Sequence, residues 1–323
     1  MNPAQQPSTT KHWAQINEVS FISGMKLLFA IFRLFGRWPF RILLYPVVSF
    51  YILRSKTART ASYIYLQRLW PSLGRPVTDV RLWHVIQHFT AFAEGILDKM
   101  RAWGGQLPPD KVITHQREVM LAQLEKEQGG LILAAHLGNI ELCRMLSHHN
   151  QRMKLTVLVH TKHAAAFNRL LAELNPDSQL NLMQVTEMTP DTAMRITERV
   201  QRGEFVVIAA DRIPVSPNPR VAIAPFLGQP AAFPIGPYVL ASVLQCPTFL
   251  VFGIPQGKRY HVYFELFREQ IRLPRKDRDT AFAELAADYA SRLEHYCRLA
   301  PMQWFNFYDF WAPPQPVKTH DHS

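Results

Sequence analysis

The sequence predicts an α/β fold: a largely parallel mixed sheet flanked by helices, preceded by an N-terminal helical segment. Two observations carry this. After Gly129-Gly130, short apolar runs of strand length alternate with stretches of helical spacing, and before that point the apolar residues recur only at three and four. The chain has 323 residues, 48% of them hydrophobic and 19% charged, enough apolar material for one large α/β unit with an appendage.

In chain order, Lys26, Arg33 and Arg37 share one face of a helix over Ile22 to Arg37, with Leu28, Ile31, Phe32 and Phe35 opposite them. Pro39 should end that helix, and Phe40 to Leu53 forms a second apolar run containing Arg41 and Pro46. Ala58 to Trp70, Trp83 to Ala102 and Glu118 to Gln128 read as helices, separated by Pro-containing links at Pro71 to Pro76 and Pro108-Pro109. Strands are expected at Leu131 to Ala135, Leu155 to Val159, Leu180 to Val185, Phe205 to Ala210, Thr248 to Ile254 and Tyr260 to Leu266. Helices are expected at Ile140 to His148, Ala165 to Leu174, Ala193 to Gln201, Ile235 to Leu244 and Asp279 to Tyr296. The boundaries drawn are 1–56 for the N-terminal helices, 57–312 for the α/β domain with its helical lead-in, and 313–323 for a loose tail.

Of the net charge of +11, seven units lie in residues 1–60, where eight basic side chains face a single acid, Glu18. Basic residues interleaved with Leu, Ile and Phe suit an anionic membrane surface better than nucleic acid, for which no known module is present. Neither N-terminal run reaches the roughly 18 to 20 uncharged residues of a simple spanning helix, so an interfacial helix is favoured over a spanning one with a snorkelling Lys26. The bland alternative is a solvated basic face on helices that pack on the body. Cys143, Cys246 and Cys297 form no C-x-x-C pair, and no His cluster has metal-ligand spacing. The segment following the polar first ten residues lacks a small-residue cleavage site, so a retained N-terminus is expected.

Ligands of open α/β sheets collect at the carboxyl ends of strands, and two polar clusters fall there. His136-Leu-Gly-Asn-Ile-Glu141 follows the first apolar strand; Gly138 allows a tight turn and Asn139 a helix N-cap, so Glu141 can fold back toward His136. A carboxylate on one imidazole nitrogen raises the basicity of the other, as needed to deprotonate a hydroxyl. The alternative is a hydrogen-bonded His that only holds the turn. Asp211-Arg212 follows another apolar strand and can either bind a phosphate or pantetheine-bearing substrate or form a structural ion pair.

The order His136-x-x-x-x-Glu141, Asp211-Arg212-x-Pro214, Phe226-Leu-Gly228-Gln-Pro-Ala231-Ala-Phe-Pro-x-Gly236 and Gln303-Trp304-Phe305 resembles the bacterial late lipid A (lauroyl/myristoyl) acyltransferase family, within the lysophospholipid and glycerolipid acyltransferase superfamily. The resemblance runs from about Trp13 to Trp311. It implies a glycerolipid acyltransferase-like fold and transfer of a fatty acyl group from a thioester, either acyl carrier protein or acyl-CoA, onto a hydroxyl of a membrane lipid or glycolipid. The place implied is the cytoplasmic face of the bacterial inner membrane, with no cofactor beyond the thioester substrate. His136 then matches the general base and Glu141 its orienting acid, with Asn139, Asp211 and Arg212 as substrate contacts. Phe226, Gly228 and Gly236 match a loop and helix lining the acyl or acceptor site. The sequence departs from the family where an Arg-bearing segment is usual, leaving Lys162, Asn168 and Arg169 as candidates, and at Phe310, where many relatives have a basic residue. Rival functions are a noncatalytic lipid-binding protein and a lipid or thioester hydrolase on the same fold. The hydrolase is disfavoured because no G-x-S-x-G nucleophile elbow is present.

Overall fold

The computed structural model describes Leu34 and residues 36–103, 107–139, 141–142, 153–159, 181–184, 189–214 and 218–313. The helix expected at Ala165 to Leu174 and nearly all of those expected at Ile22 to Arg37 and Ile140 to His148 lie outside these residues, as do Lys162, Asn168 and Arg169.

Seven strands form one sheet: β1 (Val112–His115), β2 (Gly130–Ala134), β3 (Leu155–Val159), β4 (Asn181–Gln184), β5 (Phe205–Ala209), β8 (Thr248–Gln256) and β9 (Arg259–Arg268). Their order is β1-β9-β8-β2-β5-β3-β4, and only the β8–β9 hairpin is antiparallel. The expected mostly parallel α/β sheet is therefore present. β2 at its centre is buried along its whole length, which its unbroken apolar run Gly-Leu-Ile-Leu-Ala requires. Its side chains alternate between two cores: Leu131 and Leu133 point to one, Ile132 and Ala134 to the other. β8 alternates likewise, with Leu250, Phe252 and Ile254 on the first face and Phe249 and Val251 on the second.

Seven described helices flank the sheet or lead into it: α1 (Arg37–Arg54), α2 (Lys56–Ser72), α3 (Leu82–Trp103), α4 (Glu118–Glu125), α5 (Pro190–Gln201), α6 (Gly236–Leu244) and α7 (Arg278–Leu299). α5 starts where its sequence says it should, with Thr189 accepting a hydrogen bond from the Thr192 N–H and Pro190 in the first turn. Pro39 stands in the first turn of α1, where a missing N–H costs nothing. α1 buries a stripe at spacing four, Phe40, Leu44, Val48 and Ile52, and packs on α3 across the boundary expected at residue 56. Each such side chain contributes roughly 2 kcal/mol of burial before entropy costs. Its other face stays in the open: Ile42, Leu43, Val47, Phe50 and Leu53 are all exposed. Among the described residues no helix is long and apolar enough to cross a membrane.

Two features differ from the sequence expectation. β1 was not anticipated, being a four-residue edge strand with no continuous apolar run. The segment from Phe226 to Gly236, expected as a loop and helix, is mostly a second, antiparallel sheet of β6 (Val221–Phe226) and β7 (Gln229–Pro234), with α6 beginning at Gly236. Its turn is Leu227-Gly228, both with positive φ (51° and 76°), the geometry that twists a two-residue hairpin correctly. Pro225, Pro230 and Pro234 disguise it in sequence, but a two-stranded ribbon tolerates Pro because each strand has a free edge.

Candidate active site

β2 and β5 run parallel with Ala134 opposite Ala209, and the ladder continues one step further through Ala210 N–H to Ala134 O at 2.9 Å. Two residues beyond each partner stand His136 and Asp211, so the register sets them side by side at the carboxyl end of the sheet. His136 Nδ1 lies 2.7 Å from Asp211 Oδ1, and the His136 backbone N–H donates to Asp211 Oδ2 at 2.8 Å. Trp304 Nε1 and Asn306 Nδ2 donate to the same Oδ2 at 2.9 and 3.2 Å. Asp211 is fully buried, yet surrounded by donors. An ionised carboxylate only accepts, so Nδ1 carries the proton and Nε2 presents its lone pair. The His136 side chain keeps 33% exposure, which leaves it open to a substrate.

The C-terminal segment closes this turn. Phe305 N–H donates to His136 O at 2.8 Å, and Gly138 N–H to Gln303 O at 2.8 Å. On the other side Asn139 N–H donates to Gly253 O at 2.7 Å. Two glycines make that approach possible. A Cβ on Gly138, whose φ is 65°, would lie 2.0 Å from Gly253 O, and one on Gly253 would lie 2.5 Å from Asn139 O.

Charge around His136 is arranged to keep it neutral. Burial lowers its pKa first, Arg212 second and Lys99 more weakly, against the opposing pull of Asp211. Burial works to raise the Asp211 pKa, but His136 and then Arg212 outweigh it and the net shift is downward. Arg212 is pinned, its Nε donating to Asn306 Oδ1 at 2.8 Å and its Nη2 to Phe305 O at 3.0 Å. Lys99 on α3 is held below the ordinary lysine pKa by burial, with Glu141 opposing and Arg212 reinforcing the shift.

Of the residues expected from sequence, His136, Asp211 and Arg212 converge here. The carboxylate on Nδ1 of His136 is Asp211, in the place expected for Glu141; Glu141 instead lies in the electrostatic neighbourhood of Lys99. Asn139 caps as expected, its Oδ1 accepting from Glu141 N–H at 3.1 Å. Phe226, Gly228 and Gly236 stand elsewhere. Phe226 is fully buried, its ring 5.2 Å from that of Trp304, so it supports the Asp211 donor and has no surface for a substrate. Gly228 forms the exposed hairpin turn, and Gly236 opens α6. Trp304 appeared in sequence only as a motif letter, and Lys99 and Asn306 were not singled out. The missed pairing left one trace: Leu-Ala-Ala-His136 and Ile-Ala-Ala-Asp211 are matched strand ends. Among the described residues no group of three or more His, Cys, Asp or Glu side chains is placed to hold a metal ion.

Residues 87–312, which contain every part of this site, match the sequence profile of the bacterial lipid A biosynthesis acyltransferases. The chain belongs to this family. It is an acyltransferase, and the family's reaction is acyl transfer to a lipid. No curated protein matches the chain. The matched span of the acyltransferase begins within α3, just ahead of Lys99, and ends after the Trp304–Asn306 segment that holds Asp211.

Proposed function

We propose that the acyltransferase moves a fatty acyl group from a thioester donor, acyl carrier protein, directly to a hydroxyl of a membrane lipid or glycolipid at the cytoplasmic face of the inner membrane. The observation that carries this is the Nδ1 to Asp211 hydrogen bond of His136, which aims a neutral imidazole with its Nε2 free to accept. Nε2 takes the proton of the acceptor hydroxyl as its oxygen attacks the thioester carbonyl. The carbon–sulfur bond then breaks, and the leaving thiolate receives that proton from the imidazolium, restoring the base. Asp211, ionised throughout, stabilises the transient charge on His136. Arg212 and Lys99 provide positive potential for the negative charge that develops on the carbonyl oxygen. The basic surface of the chain, +11 in net charge, suits both an acidic carrier and an anionic lipid layer. The exposed apolar face of α1 is the surface we assign to that layer.

Mass spectrometry of lipid extracts from cells carrying the chain tests the reaction. A species heavier by one acyl group is expected with the active protein and absent with His136→Ala, while the variant keeps its fold. Unchanged acylation by the variant would sink the mechanism.

A further inference from the structure

Beside the catalytic turn opens a cleft of about 420 Å³ that the mechanism above does not use. Its inner end is the Gly138–Asn139 backbone, two residues from His136. Asn139 is 3% exposed, and its amide nitrogen has no hydrogen-bond partner among the described residues. The wall follows the end of β8 past Pro255, and the outer rim carries Lys111, Lys258 and Arg259, all exposed. Two carboxylates also line the wall, Glu94 and Asp98, the latter bonded to Tyr260 and Arg101, while the three cations stand at the rim.

The length of this cleft can be read from the ladder. Gly138 bridges Gly253, from which β8 runs three residues to Gln256 before the turn at Lys258. At about 3.3 Å per residue Gln256, with Arg259 paired opposite it, lies roughly 10 Å along the strand from the catalytic turn, and the long side chains of Lys258 and Arg259 reach beyond it. Between phosphate oxygen and sulfur, a pantetheine arm has about twelve bonds, as many as four residues of extended backbone, or roughly 14 Å.

We propose that this cleft receives the phosphopantetheine arm of the donor thioester, with the phosphate on Lys258 and Arg259 and the sulfur delivered to the Gly138–Asn139 turn. Charge matches the phosphate, and the reach of the two side chains beyond Gln256 matches the length of the arm. The same arm occurs on carrier protein and on coenzyme A, so the site reads what the two donors share. The proposal rests on His136 acting on a thioester.

Binding of S-dodecyl thioethers to the full chain in detergent, followed by calorimetry, tests it without turnover. Wild-type protein should bind the phosphopantetheine thioether about tenfold more tightly than the pantetheine thioether, which lacks the phosphate. Lys258→Ala in the exposed turn combined with Arg259→Ala at the exposed start of β9 should erase that preference and weaken S-dodecyl carrier protein and S-dodecyl coenzyme A by the same factor. Equal affinity for the two short thioethers, or a preference kept by the double variant, would overturn the proposal. So would a loss confined to carrier protein, which would put the cations on the carrier's surface, or one confined to coenzyme A, which would put them on its nucleotide. His136→Ala should bind every thioether as the wild type does, so a failure of the catalytic assignment is scored separately by its transfer activity.

Discussion

Burial first and Arg212 second set the protonation range of His136. The fixed Arg212 guanidinium disfavours a second cation nearby, and together with burial it outweighs Asp211 and lowers the His136 pKa below the ordinary imidazole value of about 6.5. Protonated His136 accepts nothing, so kcat/KM should fall as pH falls, and the midpoint of that fall should lie below about 6.5. Arg212→Gln removes the cation and should move the midpoint upward, whatever it does to the plateau; a pH–rate profile unmoved or shifted down would dissociate Arg212 from the base. The residues of this site were legible as types and positions, but their pairing was not. Glu141 is five residues from His136 and Asp211 is seventy-five away, so proximity in sequence favoured the first; only the β2–β5 register brings the second alongside. Trp304 and Asn306 were hidden for the same reason, since nothing local says that a C-terminal loop returns to the centre of the sheet.

At the scale of elements, strands and helices with one clean period were legible and mixed ones were not. β3 was anticipated to the residue and β2 and β5 to within one, because continuous apolar runs bounded by turns admit little else. The β6–β7 ribbon escaped because its three prolines break the strand pattern, although ribbon edges accept them, and the loop and helix expected there rested on the resemblance alone. α1 was anticipated as an apolar run, yet which of its faces packs depends on α3. The stripe Phe40, Leu44, Val48 and Ile52 is taken by the body, which leaves Ile42, Val47, Phe50 and Leu53 exposed as the face proposed for lipid. Phe50→Ser with Leu53→Ser should therefore weaken flotation with anionic vesicles several-fold without altering thermal stability, since neither side chain is buried. Flotation equal to wild type would remove α1 from the membrane contact.

For the whole molecule, His88 shows how the helical lead-in and the candidate active site are joined. Fully buried on α3, it accepts from Ser62 Oγ of α2 at Nδ1 (2.8 Å) and donates from Nε2 to Trp304 O (2.9 Å), next to the indole that holds Asp211. Burial pushes its pKa down to about 4, against the weaker pull of Trp304 O. The unfolded chain takes up this proton near pH 6.5 and the folded chain not until about 4, so stability present at neutral pH is lost as pH falls through that window, by up to roughly 3 kcal/mol from this group. Urea unfolding between pH 7 and pH 4.5 should show the decline, and His88→Gln, which cannot take up the proton, should flatten it; an equal slope in both proteins would assign the effect to other groups. The helices, the sheet end and the C-terminal segment thus converge on one carboxylate. Steady-state transfer by Asp211→Asn measures its role directly. With the shape of the side chain kept and its charge removed, kcat should drop by about 10² to 10⁴ while the KM values for donor and acceptor change little; a kcat within a few-fold of wild type would contradict the His136–Asp211 base.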